Sequence, residues 1–237
     1  MSTNGSTRQK IAIVTDRVWG AEIADRLRGD FDVLSLSDLS PDSHDVLAGF
    51  NPEYVYFPYW SKFVPAAIYD KFECVIFHMT DLPFGRGGSP LQNLIARGFQ
   101  DTKISALRCV GEVDAGPIYL QRALSLNGAA EEIFLRAARE ITGMIATITL
   151  ERPVPTNQVG EPTVFKRRRP EDGNLKGVQT LDAAFDLIRM LDAEGYPNAF
   201  LKIGAFKLTF TRAARKVGCV VADVRIEMND EEHEGET

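Results

Sequence analysis

The chain is poor in the residues that usually announce a metal site or a covalent framework. Its 237 residues include three cysteines and three histidines. Cys74, Cys109 and Cys219 are far apart, odd in number and without CxxC spacing, so neither a zinc site nor a disulfide framework is signalled and no metal is expected. They read as core residues. No apolar run approaches the roughly 18 residues of a membrane span, and the first residues are polar, so neither a membrane segment nor a signal peptide is expected and the implied location is the cytosol. Excess basic charge is also missing. The formal charge is -6, and residues 223–237, with seven acidic residues against one arginine, account for all of it. The balanced body lacks the basic surface that phosphate-dominated binding needs, which argues against a nucleic-acid partner. The turn at 16–20 (DRVWG) carries no glycine fingerprint, which argues strongly against a nicotinamide dehydrogenase.

What remains is globular: 44% hydrophobic and 25% charged residues. Short apolar runs at 11–14, 31–36, 54–57 and 74–77, separated by helical spacing, read as βαβ units. The expected fold class is α/β, a Rossmann-like domain with a parallel sheet. The segment 81–90, rich in glycine and proline, is a loop at the carboxyl end of a strand, the edge where open α/β sheets bind ligands. Residues 103–126 are strand-like around an irregular break at 111–116, and 133–148 follow the i, i+3, i+4 spacing of a long amphipathic helix. A Pro-rich, charged stretch at 152–172 reads as a linker. A helix at 181–191 and alternating runs at 206–210 and 219–226 predict a small C-terminal α+β unit. The expected division is a polar leader (1–9), a main domain (10–150), a substrate or dimerisation unit (151–229) and a disordered acidic tail (230–237).

Histidine is the usual carrier of protons near neutrality. His44 lies in a polar segment and His233 in the acidic tail, whereas His78 closes an apolar run. A strand-end histidine is as readily a core residue, and its neighbours decide. Residues 78–93 read HMTDLPFGRGGSPLQN, in which Leu82, Pro83, Arg86, Gly87 and Pro90 stand at the offsets of a family motif. Asp101, Thr102 and Ser105 match the strand that follows, and 113–118 (VDAGPI) match an Asp-x-Gly-x-Ile element whose Asp114 lies 36 positions after His78. In these two blocks the chain resembles the formyltransferases that use 10-formyltetrahydrofolate, including methionyl-tRNA formyltransferase and the sugar N-formyltransferases. The resemblance spans about residues 10–150, which makes the main domain a formyltransferase catalytic domain. It implies that His78 takes a proton from an attacking amine and that Asp114 orients it.

The same resemblance implies further sites. The family carries an Asn two residues before the His, and here that position is Ile76, so Asn93, Ser89 and Thr80, or loop backbone N–H groups, are the candidates for a substitute oxyanion donor. The loop at 57–64 (FPYWSKFV) corresponds to the family's folate-pocket loop, which nominates Tyr59, Trp60 and Phe63 for the cofactor, together with Leu82, Arg86 and Gly87. Arg189 and Tyr196 are nominated for substrate. The implied acceptor is the amine of a nucleotide-linked amino sugar, of pseudaminic-acid type, because the tRNA-directed members add a C-terminal barrel domain; a homodimer is expected from the same resemblance. A small non-sugar amine such as a hydroxyornithine, water as acceptor, and a non-catalytic binder of folate or amino sugar stay open.

Overall fold

A computed structural model describes residues 8–229. The acidic tail expected at 230–237, and all of the expected leader before residue 8, lie outside the described residues. The chain divides into two compact units. One comprises the chain up to Gly87 with Thr102–Leu124 and Phe134–Val164; the other comprises Gly88–Asp101, Ser125–Ile133 and the chain from Phe165 on.

The first unit begins with alternating strands and helices: β1 (Lys10–Val14), α1 (Val18–Leu27), β2 (Asp32–Leu36), α2 (Ser43–Phe50), β3 (Tyr54–Phe57), α3 (Ala66–Tyr69) and β4 (Cys74–His78). The four strands pair in parallel in the order β2-β1-β3-β4. An interior parallel strand is covered on both faces and needs apolar side chains at successive positions, which is why Ile11, Ala12, Ile13 and Val14 are all fully buried. Thr15, just after β1, lies so closely under α1 that a Cβ on Gly20 would lie 2.2 Å from the Thr15 hydroxyl oxygen. Only glycine lets the helix settle there.

After β5 (Arg86–Gly87) and α4 (Pro90–Ile95), β6 (Asp101–Arg108) returns to the sheet antiparallel to β4, with His78 opposite Ser105, and β7 (Ile118–Ser125) follows at its edge. The central sheet is thus parallel with a reversed flank, a direction that periodicity does not encode. The long helix is α5 (Ala130–Glu151). Its Phe134 ring lies 4.6 Å from the Trp19 ring, and Thr149 shares a 2.8 Å hydrogen bond with the Tyr56 hydroxyl on β3. Apolar residues at helical spacing close one face of the sheet in this way.

The stretch 152–172 is ordered rather than a free linker. Thr156 and Ile118 exchange both backbone hydrogen bonds (2.7 and 2.9 Å), and the Thr163 carbonyl accepts from Gly85 and Arg86 (3.0 and 2.9 Å). Proline and charge deny this stretch regular structure of its own, yet its free backbone groups pair with the sheet edge and the loop beside it. It contains β8 (Val164–Phe165).

In the second unit, α6 (Leu181–Arg189) starts at Thr180, whose hydroxyl accepts the Ala183 N–H at 3.1 Å. Beside it lies an antiparallel sheet of β9 (Ala199–Ile203), β10 (Phe206–Lys216) and β11 (Cys219–Met228), in the order β11-β10-β9. The register sets Phe206, Leu208 and Phe210 opposite Met228, Ile226 and Val224 on one side and Ile203, Leu201 and Ala199 on the other. Side chains alternate along a strand, so these nine apolar residues form one face. Its inner end, at Ala199, is buried, whereas Ile203, Phe206, Ile226 and Met228 are exposed.

Candidate active site

His78 is the last residue of β4, at the carboxyl edge of the parallel strands, and is 6% exposed. Its Nε2 lies 2.7 Å from the Gly85 carbonyl oxygen and its Nδ1 lies 3.4 Å from Asp114 Oδ2. A carbonyl and a carboxylate can only accept, and a neutral imidazole has one N–H. The tautomer of the ring therefore decides which of the two receives its hydrogen. Asp114 Oδ2 also accepts the Gly87 N–H at 2.8 Å, so the glycine loop holds the carboxylate from the other side.

Asp114 sits at φ 52°, in the left-handed region, on the turn between β6 and β7. Next to it Gly116 is packed so tightly that a Cβ would lie 1.8 Å from the Arg108 carbonyl oxygen. Sequence reading passed over Gln158, which lies in the supposed linker. Its Nε2 donates to the carbonyls of Asp114 and Gly116 (2.8 and 2.9 Å), and its Oε1 accepts from Arg86 Nε and Nη2 (3.1 and 2.8 Å). Arg86 Nη1 donates to Glu112 Oε1 at 3.0 Å. The guanidinium expected to meet a folate anion is therefore engaged by protein groups. A Gln in a non-periodic segment leaves no signal in sequence.

Of the three candidate oxyanion donors, Thr80 shares an acceptor with His78: it is fully buried and its hydroxyl lies 3.5 Å from the same Gly85 oxygen. Asn93, in the second unit, gives both amide hydrogens to backbone, at Gly88 (3.0 Å) and Lys166 (2.9 Å), which leaves none for a substrate. Ser89, in the same unit, accepts the Arg168 N–H at 3.0 Å. Ile76 is half-buried and packs against the apolar cluster around Val55 and Phe57.

The nominated aromatics separate. Tyr59 donates its hydroxyl to the Phe134 carbonyl at 2.6 Å and packs against Trp19 and Phe134, a core task. Phe63 is 81% exposed. Trp60 is half-buried, with Lys62 Nζ 4.9 Å from its ring centre, and its indole Nε1 is buried with no hydrogen-bond partner among the described residues. A buried N–H without an acceptor costs free energy and suits a site that a ligand completes. Leu82 is buried in the loop after β4, and Gly87 contributes its backbone N–H as above.

In the second unit Arg189 is 4% exposed and donates to Asp186 Oδ1 and to the carbonyls of Leu126 (2.6 Å) and Gly128 (2.8 Å). That is structural work, unlike the substrate contact expected of it. Tyr196 is half-buried, its N–H bonded to the Ala193 carbonyl at 3.2 Å.

The cysteines give a pH-dependent check on this region. Burial, with the Asp114 charge adding to it, pushes the Cys109 thiol up to about 11, and burial pushes Cys74 up further, whereas Cys219 is exposed. The unfolded thiol ionises near 8.5. Burying Cys109 therefore stabilises the folded state in full below about pH 8.5, and that contribution fades as the pH climbs to about 11. At pH 8 an alkylating reagent should modify Cys219 alone; modification of Cys109 in folded protein would mean that the turn beside Asp114 is open. Mass spectrometry of the tryptic peptides decides.

A His–Asp pair at the carboxyl edge of a parallel sheet, flanked by a glycine loop, has the arrangement that general-base chemistry requires. Similarity to known proteins narrows the class. A solved structure described as methionyl-tRNA formyltransferase from Clostridium thermocellum is 45% identical, with a TM-score of 0.90, and the match covers 93% of this chain and 100% of that one. The methionyl-tRNA formyltransferase of Thermodesulfovibrio yellowstonii is 28% identical over 151 residues, 60% of this chain and 49% of the relative. A family profile described as the methionyl-tRNA formyltransferase C-terminal domain matches residues 170–227. A sugar N-formyltransferase from Shewanella shares the fold at 16% identity, with a TM-score of 0.62, over 91% of this chain and 96% of that one. The chain belongs to the methionyl-tRNA formyltransferase-like family, a family of folate-dependent enzymes that transfer a one-carbon formyl group. It spans about half the length of the curated relatives it matches. No helix among the described residues is long and apolar enough to cross a membrane.

Proposed function

We propose that the protein transfers a formyl group from 10-formyltetrahydrofolate to a primary amine in the cytosol. The observation that carries this reading is the His78–Asp114 contact at the carboxyl edge of the sheet. As the amine nitrogen bonds to the formyl carbon, His78 removes its proton, Asp114 balances the charge on the ring, and the proton leaves on the folate nitrogen when its bond to that carbon breaks. Thr80 is the candidate in the first unit for the oxyanion task that Ile76 cannot perform, and its hydroxyl takes that role only by leaving the Gly85 carbonyl to which it donates. The unpartnered indole N–H of Trp60 fits an acceptor on the bound folate, whose role is to supply an activated formyl carbon.

Two acceptors fit this chemistry. The amine of methionyl-tRNA is supported by 45% identity along the whole of a chain described as methionyl-tRNA formyltransferase, and by the C-terminal profile over 170–227. A nucleotide-linked amino sugar is supported by the wording of residues 78–93. The first has the broader support. Calorimetry with 5-formyltetrahydrofolate, followed by radiolabelled formyl transfer to methionyl-tRNA and to a panel of nucleotide-linked amino sugars, tests both parts. Absence of folate binding would overturn the donor; labelling of the sugars alone would overturn the tRNA acceptor.

The exposed end of the second unit's apolar face supports a homodimer, because Ile203, Phe206, Ile226 and Met228 form a continuous patch beside the edge strand β11. Sedimentation should give twice the chain mass, and Ile226→Lys should give monomers. A monomeric wild type at micromolar concentration would overturn this assembly.

A further inference from the structure

We propose that Gln158 is a positioning residue for the catalytic pair: its side-chain amide clamps the 112–116 turn so that the Asp114 carboxylate is delivered to His78. The inference rests on the formyl-transfer reading and deepens it. Asp114 holds a left-handed backbone conformation, φ 52°, that residues with a Cβ seldom adopt and that persists only when neighbours fix it. Gln158 supplies that constraint. Its two amide hydrogens go to the carbonyls on either side of the Asp114 to Gly116 turn, at 2.8 and 2.9 Å, and its oxygen receives two hydrogens of the Arg86 fork at 3.1 and 2.8 Å. The amide is thereby satisfied in one orientation only, since the flipped form would set oxygen against two carbonyls and N–H against a cation.

Arg86 closes the clamp. Its third contact, Nη1 to Glu112 Oε1 at 3.0 Å, grips the start of the same turn. Its chain neighbour Gly87 donates its N–H to Asp114 Oδ2 at 2.8 Å, so the carboxylate is held by the loop that Arg86 anchors. Gln158 makes no contact of its own with His78 in this arrangement and acts on the ring through Asp114.

Removing the amide should therefore lower kcat while leaving KM for folate and amine near the wild-type values. We expect Gln158→Ala to reduce kcat by about 10- to 100-fold with KM within about threefold, as for other residues that orient a catalytic group. In an Asp114→Ala background the same substitution should cost less than about threefold, because the residue through which it acts is gone. The ring ¹⁵N resonances of His78 should shift in Gln158→Ala and should not shift further in the double variant. Equal losses in both backgrounds, or unmoved His78 resonances, would overturn the proposal. Gln158→Met keeps length and volume without hydrogen bonds and replaces the alanine variant should that fail to fold. A wild type without transferase activity would overturn the formyl-transfer reading alone, and the resonances would still decide whether Gln158 holds Asp114 against the ring.

Discussion

His78→Ala should reduce formyl transfer by about 10²- to 10⁴-fold, the usual contribution of a positioned general base, while 5-formyltetrahydrofolate still binds. The two measurements separate chemistry from binding. The imidazole ends β4 with one nitrogen toward Asp114 and the other toward the Gly85 carbonyl, so its loss removes the proton acceptor without touching Trp60 on the loop after β3. To receive a proton from substrate, Nε2 must be the bare nitrogen of the neutral ring, with the hydrogen on Nδ1 toward Asp114 and the Gly85 carbonyl displaced by the docking amine. A variant that retained more than a tenth of wild-type turnover would move the base elsewhere and leave the His78–Asp114 pair a structural contact.

Gly116→Ala should be the most damaging small substitution in the first unit. Its new methyl group would overlap the Arg108 carbonyl at 1.8 Å, and a backbone carbonyl at the end of β6 cannot swing aside as a flexible side chain can. Overpacking of this kind costs about 3 kcal/mol or more. For a chain of this size, that corresponds to roughly 6–12 °C in Tm. Turnover should fall too, because the carbonyl of Gly116 is one of the two that Gln158 holds. An unchanged thermal midpoint would show that the turn relaxes freely, which would also undercut the clamp.

The strands of the parallel half could be read directly because burial on both faces forces continuous apolar runs, as at residues 11–14, and the long helix could be read because α5 is apolar along one stripe. The reversal at β6 could not, since strand direction is set by the connection and leaves no mark on composition. At the site, the separation of His78 from Asp114 within matching motifs led to the pair that the structure brings together. Arg86, Arg189 and Tyr59 were harder. A guanidinium or a phenol that caps carbonyls has the same letter in the sequence as one that meets a ligand, and only the geometry shows that Arg189 is engaged by Leu126 and Gly128 and Tyr59 by Phe134. Gln158 was missed for the opposite reason. It works through one side-chain amide in a stretch without period or motif.

The clamp also bears on the order in which the molecule acquires its site. The Gly87–Asp114 bond closes a loop of 27 residues, whereas Gln158 reaches Asp114 across 44 and Arg86 across 72. Each doubling of loop length adds about 0.6 kcal/mol of closure entropy. The contacts that lock the turn are therefore less favourable to form early than those that shape the glycine loop. On a growing or refolding chain, the sheet and the His78 strand can assemble while Asp114 is still loose, and the segment following α5 then locks the turn as a late step.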